Sequence, residues 1–130
     1  TMPVSRDRLQ ILVVDDNQPA RQLIKSTLAI AGYTAITEAA DGAKALERLR
    51  GHPFDLVICD WDMPDTSGLD VLQALRADEK LNKIPFLMVT ANQQREFVEA
   101  AIAAGVSDYV TKPFRLNTLN DKVARLLGGK

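Results

Sequence analysis

Short apolar segments and amphipathic segments alternate five times along this 130-residue sequence, and that alternation limits the fold more than any other feature. The apolar segments are rich in Val, Ile and Leu, which favours strands. Most of them lack strict alternation of polar and apolar residues, as is typical of parallel strands covered on both faces. We therefore predict an α/β fold with a doubly wound, five-stranded parallel sheet and helices on both faces. The predicted strands span 9–14, 34–37, 56–59, 85–89 and 109–110.

The segments between the strands repeat apolar residues at helical spacing, so each is predicted to be a helix with one face in the core. The clearest helix is capped by Asn17 and stops at Gly32. The apolar stripes, which include Leu23, Ile102 and Leu116, are expected to be core. The remaining helices are predicted at 43–50, 69–77, 93–104 and 116–127.

Length and composition are typical of one globular domain, because the chain is 46% hydrophobic and 25% charged. We predict a single domain over residues 1–130 with its core at about 9–127. The net charge of -1 gives no overall attraction to nucleic acid or anionic membranes. No apolar run approaches the roughly 20 residues that span a bilayer, so the cytoplasm is the expected compartment. Cys59 lies in an apolar run and is predicted to be buried.

Polar side chains with related chemistry follow four of the predicted strands. Since the carboxyl ends of parallel strands share one edge of the sheet, these side chains are expected to converge there. Carboxylates about 4 Å apart repel by roughly 4 kcal/mol per pair at an effective dielectric near 20, so such a cluster must take up protons or bind a cation. Only oxygen donors converge, which favours Mg²⁺ or Mn²⁺. The residues concerned are Asp15, Asp16, Asp60, Thr90 and Lys112.

Four motifs at these strand ends carry a resemblance to a known family. They are Val13-Val14-Asp15-Asp16, Asp60-Trp61-Asp62-Met63-Pro64 with Gly68 following, Met88-Val89-Thr90-Ala91, and Tyr109-Val110-Thr111-Lys112-Pro113-Phe114. With them, the sequence from about 9 to 127 resembles the receiver domain of bacterial response regulators, and most of all the single-domain chemotaxis response regulator. The resemblance implies the flavodoxin-like strand order 2-1-3-4-5. It also implies a phosphoacceptor of two-component phosphorelays, and not an enzyme that turns over an external substrate.

The resemblance assigns roles to the acidic residues. Asp60 is implied to be the phosphoacceptor, which attacks the phosphorus of a phosphohistidine or a small acyl phosphate. Asp16, Asp60 and the backbone carbonyl of Asp62 are implied as direct ligands of Mg²⁺ or Mn²⁺, with Asp15 acting largely through water. Asp62 is also implied to tune the lifetime of the phosphoryl group, and it replaces an amide of the chemotaxis regulator.

The resemblance implies further roles on the fourth and fifth strands. Lys112 and Thr90 are implied to bind phosphoryl oxygens, and the bond before Pro113 is expected to be cis. Thr90 and Tyr109 are implied to form the switch, in which the aromatic side chain follows the hydroxyl toward the phosphate. Asn92 takes the second tuning position, where the chemotaxis regulator is acidic.

The partners implied are a sensor histidine kinase or phosphotransfer protein, and a downstream protein that recognises the face of the fourth helix, fifth strand and fifth helix. The chain is expected to be a monomer or a phosphorylation-dependent dimer, and to bind neither nucleic acid nor membrane. Two alternatives stay open. One is a small phosphatase of the haloacid dehalogenase type, because Asp60-Trp61-Asp62 supplies an Asp-x-Asp pair. The other is a receiver fragment of a larger hybrid kinase or regulator.

Overall fold

The predicted sheet is present in the structure, a computed structural model that describes residues 5–91 and 94–128. Its strands are β1 (Ile11–Val14), β2 (Ile36–Ala39), β3 (Leu56–Asp60), β4 (Phe86–Thr90) and β5 (Asp108–Thr111). Within the described residues they form one parallel sheet in the order β2-β1-β3-β4-β5. The predicted fold class and strand order are confirmed.

The helices are α1 (Gln18–Ile30), α2 (Gly42–Gly51), α3 (Gly68–Ala77), α4 (Arg95–Ala103) and α5 (Leu116–Leu126), preceded by a short 3₁₀ helix (Arg6–Arg8). Asn17 caps α1 as predicted, since its side chain accepts a hydrogen bond from the amide of Ala20 at 2.8 Å. The chain leaves α1 at Gly32, whose φ of +96° is readily adopted by glycine. Across the described ranges, the helices fall short of the length and apolarity that crossing a bilayer requires.

Two layers of apolar side chains cover the two faces of the sheet. In β1, β3 and β4 successive residues enter opposite layers, and all three strands are buried throughout. Helices α2, α3 and α4 close one layer, whereas α1 and α5 close the other. Cys59 is fully buried in the first layer, as predicted. Because both faces are covered, polar chemistry is left to the loops at the strand ends.

Some sequence predictions are wrong in detail. Leu23, Ile102 and Leu116 are 58%, 63% and 39% exposed, so they do not belong to the core. The helix face that packs on the sheet is narrower than the full apolar stripe; in α1 Ile24 and Leu28 already fill it. The second strand lies two residues later than predicted, because an edge strand that includes a charged residue lacks the continuous apolar run of a central strand.

Candidate functional site at the carboxyl edge of the sheet

The carboxyl ends of the strands bring the predicted site residues to one edge of the sheet. Asp15 follows β1 directly, Asp60 is the last residue of β3, and Thr90 is the last residue of β4. The register pairs Asp60 with Val89, so Thr90 lies one residue further along the adjacent strand. Lys112 follows β5 and donates its backbone N–H to the carbonyl of Thr90 at 2.8 Å.

Three carboxylates converge at this edge. Asp15, Asp16 and Asp60 each present an oxygen, and these oxygens all lie within 4.8 Å of one another. Asp15 and Asp60 are buried, whereas Asp16 is exposed. The cluster is therefore buried on one side and open to solvent on the other. A ligand could reach it from solution.

Asp15 is held at every polar atom. Its backbone N–H donates to the carbonyl of Ala39 at 3.2 Å. Its two carboxylate oxygens accept from the backbone N–H of Asn17 at 2.9 Å and from the ammonium of Lys112 at 3.0 Å. With 1% exposure, this carboxylate is a fixed part of the site and has little freedom to rearrange.

Lys112 connects the carboxylates. Its Nζ lies 3.0 Å from Asp15 and 3.5 Å from the carboxylate of Asp60. Burial lowers the pKa of Lys112, but the hydrogen bond to Asp15 and the charge of Asp60 outweigh it, so the pKa rises overall. Lys112 is therefore a firmly charged group that faces the phosphoacceptor candidate. The bond between Lys112 and Pro113 is cis, as predicted.

Asp60 is the carboxylate whose protonation is most affected by its surroundings. Burial raises its pKa to about 6; Lys112 opposes the rise, while the charges of Asp15 and Asp62 add to it. Near neutral pH the carboxylate is mostly ionised, and because it is buried its charge costs free energy of desolvation. A cation or an incoming phosphoryl group that is gripped by cations would relieve that cost.

The donor set fits a hard divalent cation. When ionised, the three carboxylates and the ammonium of Lys112 leave two negative charges in a partly buried site. Among the described residues, the groups here that could coordinate a cation are carboxylate oxygens, because the ammonium of Lys112 has no lone pair to offer, and carboxylate oxygens are the ligands that Mg²⁺ and Mn²⁺ prefer. A doubly charged ion would balance this charge.

The predicted switch residues border a small cavity. Thr90 is 4% exposed, while Tyr109 in β5 is half-buried and has the ammonium of Lys122 at 5.8 Å from its ring centroid. The cavity has a volume of about 10 Å³, which is near the space that one water molecule needs. Its lining residues are Trp61, Met88, Thr90, Phe97, Val98, Ala101 and Tyr109.

The loop after β3 contains further predicted residues. Asp62 follows Trp61 in this loop, and its side chain is exposed. Trp61 itself is 7% exposed and contacts Phe97 of α4 edge to face, with ring centroids 5.2 Å apart. Asn92, the second predicted tuning residue, lies outside the described residues.

Sequence analysis did not predict that Arg21 would contact a residue of the acidic cluster. Its guanidinium donates to the backbone carbonyl of Asp15 at 2.7 Å and pairs with Glu38 of β2 at 3.0 Å. A signal was present in the sequence, since a charged residue in a short β-rich segment needs a partner of opposite charge when the strand is partly covered. Which residue supplies that partner depends on how α1 packs beside β2.

Comparisons with known proteins give consistent results. The family model for the response regulator receiver domain matches residues 11–124. The chain is 43% identical over 118 residues to the chemotaxis protein CheY of Pseudomonas aeruginosa, covering 91% of this chain and 95% of that protein. The solved structure of chemotaxis protein CheY4 of Vibrio cholerae has a TM-score of 0.84 at 33% identity, covering 91% of this chain and 98% of the other. The receiver domain of a signal transduction histidine kinase from Syntrophus aciditrophicus has a TM-score of 0.85 at 29% identity, covering 92% and 90%.

Proposed function

Because the chain belongs to the response regulator receiver domain family, we propose that it is a signalling switch in which Asp60 accepts a phosphoryl group. The observation that carries the proposal is the meeting of Asp15, Asp16 and Asp60 at the carboxyl edge of the sheet, with Lys112 bridging two of them. The family is a signalling domain and not an enzyme in the usual sense. We propose that residues from about 9 to 127 act as one receiver domain.

Mg²⁺ or Mn²⁺ is the cofactor that the site would hold. Asp16, Asp60 and the backbone carbonyl of Asp62 are proposed as its direct ligands, and Asp15 as a ligand largely through water. When bound, the ion would offset the negative charge shared by the carboxylates and the incoming phosphoryl oxygens. The proposal is supported by the oxygen-only donor set and by the excess negative charge of the cluster.

In the proposed transfer, a carboxylate oxygen of Asp60 attacks the phosphorus of a phosphohistidine on a sensor histidine kinase or phosphotransfer protein. The new bond joins oxygen to phosphorus, while the bond from phosphorus to the imidazole nitrogen breaks and its electron pair stays on the imidazole. Lys112 and the hydroxyl of Thr90 donate hydrogen bonds to the phosphoryl oxygens. No general base is needed, because a pKa of about 6 leaves Asp60 mostly ionised at neutral pH.

The proposed output is a shift of the face formed by α4, β5 and α5. A phosphoryl group on Asp60 adds charge and acceptor oxygens, which would draw Thr90 inward and let Tyr109 follow into the space beside it. Both residues line the same small cavity, which supports a coupling between their positions. Asp62 and Asn92 are proposed to tune how long the phosphoryl group persists. The resemblance also leads us to propose cytoplasmic location, a downstream protein partner, and a monomer or phosphorylation-dependent dimer.

The decisive experiment measures the intact mass of the protein after incubation with Mg²⁺ and acetyl phosphate, with and without a chelator. We expect a metal-dependent gain of one phosphoryl group, and loss of that gain in Asp60→Asn. Asp65→Asn is the matched control, because Asp65 lies in the same loop, is exposed, and has a φ of 66° that asparagine also adopts. An unchanged mass of the wild type with several small donors and a histidine kinase would contradict the proposal.

A separate assay of turnover of an external phosphate ester distinguishes the first alternative from a receiver. A phosphatase of the haloacid dehalogenase type would turn over an external phosphate ester, whereas a receiver is modified once. The position of Asp60 at the end of the third strand of the sheet disfavours the phosphatase, which is expected to carry its Asp-x-Asp pair after the first strand. The receiver-fragment alternative stays open, since similar structures include both a chemotaxis protein and a domain of a histidine kinase.

A further inference from the structure

Arg21 joins the acidic cluster to a charged group on the neighbouring edge strand. It lies in α1, its side chain is only 14% exposed, and its Nη1 donates to the backbone carbonyl of Asp15 at 2.7 Å. Its Nε lies 3.0 Å from a carboxylate oxygen of Glu38 in β2. The planar guanidinium can serve both partners at once, because its donors point in fixed and different directions.

The bond from Arg21 fixes the peptide that joins Asp15 to Asp16. The amide and carboxylate of Asp15 are already held by the sheet, by Asn17 and by Lys112. The carbonyl is the remaining polar group of Asp15, and its direction sets the plane of the next peptide. Asp16 is exposed and lies between the end of β1 and the start of α1, and this peptide plane fixes the direction of the bond that leads to its Cα.

Glu38 keeps Arg21 in place and has a second cation beside it. Lys25, one turn after Arg21 on the same helix, pairs with the other carboxylate oxygen of Glu38 at 3.1 Å. The hydrogen bonds from Lys25 and Arg21 lower the pKa of Glu38, so this partner stays ionised at neutral pH. Both cations thus share one anionic partner, and Arg21 in addition donates to the backbone carbonyl of Asp15.

We propose that Arg21, clamped by Glu38, is a positioning residue that orients the Asp15–Asp16 peptide for divalent-cation binding. The inference rests on the proposed function, since it assumes that the acidic cluster binds Mg²⁺. Arg21 does not contact the cation and acts through the backbone of Asp15.

The role of Arg21 is testable because a positioning role and a purely electrostatic role predict changes of opposite sign in cation affinity when Arg21 is replaced. If Arg21 mattered only as a positive charge near the cluster, its removal would strengthen the binding of a cation. If it orients the peptide, its removal weakens binding although a repelling charge is lost. Residues that hold metal ligands in place commonly change metal affinity by about 10-fold to 100-fold when they are replaced.

The experiment compares Arg21→Gln with Lys25→Gln. Each variant removes one positive charge and one partner of Glu38, and only the first removes the bond to Asp15. The dissociation constant of Mg²⁺ is measured from the fluorescence of Trp61, the single tryptophan, and independently by Mn²⁺ competition in electron paramagnetic resonance. We expect about tenfold weaker binding in Arg21→Gln and a change within about twofold in Lys25→Gln.

Equal affinities in the two variants, or tighter binding in Arg21→Gln, would overturn the inference. Circular dichroism verifies that each variant is folded before titration. Should Arg21→Gln fail to fold, Arg21→Lys keeps the charge but loses the two-directional donor, and its binding is expected to weaken by about threefold or more. Wild-type affinity in that variant would then overturn the inference. If the wild type itself binds no Mg²⁺, the proposed function fails, and the two failures are therefore distinguishable.

Discussion

The helices that follow the first three strands start differently from those that follow the last two. Asn17, Asp41 and Ser67 each accept a hydrogen bond from the backbone of the helix they precede, and the Ser67 cap is reciprocated by Asp70. Within the described residues, Gln94 and Arg115 make no such side-chain cap at α4 and α5. A capping side chain typically contributes about 1 kcal/mol to stability.

The burial of helix side chains shows the same difference. We call α1, α2 and α3 with the strand ends that precede them the fixed region, and α4 and α5 the weakly held region. Helix α3 buries four of its residues, whereas α4 buries only Ala101 and leaves Ile102 63% exposed. Elements that move in a switch are drawn from the less stable parts of a fold. The proposed metal site thus lies on the firmly capped elements, and the proposed output face on the elements that cost least to displace.

The largest effect is expected at Gly68, where α3 begins against the end of β3, the strand that carries Asp60. A Cβ at this position would overlap the carbonyl oxygen of Asp60 and would lie 2.9 Å from both the Cα of Trp61 and the sulfur of Met88. Two of these obstacles are backbone atoms that cannot turn away. Gly68→Ala should therefore lower the free energy of unfolding by about 3 kcal/mol, measured by urea denaturation.

Gly51→Ala is the matched control for that substitution. Gly51 is the last residue of α2, and a Cβ there would meet no atom within 4 Å. Alanine favours the helix, so this variant should be as stable as the wild type or more stable by up to about 1 kcal/mol. A cost at Gly68 no larger than at Gly51 would show that the region around Asp60 is not tightly packed.

Sequence reasoning reached the site because parallel strands share one edge for their carboxyl ends. Asp15, Asp60 and Lys112 could be brought together without coordinates, since each directly follows or ends a recognisable apolar run. Arg21 could not be found in this way, because its contact with Glu38 depends on how a helix packs beside an edge strand. The exposure of Leu23 was missed for a similar reason: periodicity gives the apolar stripe but not the width of its contact with the sheet.

A second, intermediate effect concerns the proton of Asp60. Its pKa in the folded protein is about 6, raised from an ordinary 3.8 mainly by burial. The folded state therefore holds this proton more tightly than the unfolded state. Its contribution to stability is fully present below about pH 4 and is lost as the pH rises through 6. Asp60→Asn cannot lose it, so at pH 7 without Mg²⁺ the variant should be the more stable by about 1 kcal/mol, after allowance for solvent screening.

Urea denaturation of both proteins between pH 4 and pH 8 tests this sign. The stability difference should grow from near zero at pH 4 and level off above pH 6. Asp121→Asn, which removes an exposed carboxylate from α5, is measured alongside as the control for loss of a surface charge. If Asp60→Asn were less stable than the wild type at pH 7 without Mg²⁺, the ionised carboxylate of Asp60 would stabilise the folded protein in the absence of a cation, and burial would not be the dominant influence on its pKa.

The smallest effects should come from the helix caps, where the contrast between the two regions can be reversed. Ser67→Ala removes a cap of the fixed region and should cost about 1 kcal/mol of stability. Arg115→Ser supplies a capping hydroxyl to α5 at a residue that already has extended backbone, with φ −85° and ψ 145°, and should gain about 0.5 kcal/mol. Arg115→Ala is the control, because it removes the same charge from the start of the helix without adding an acceptor. Equal stability of the two Arg115 variants would mean that α5 is not limited by its missing cap, and its lower stability would have to be sought in its packing on the sheet.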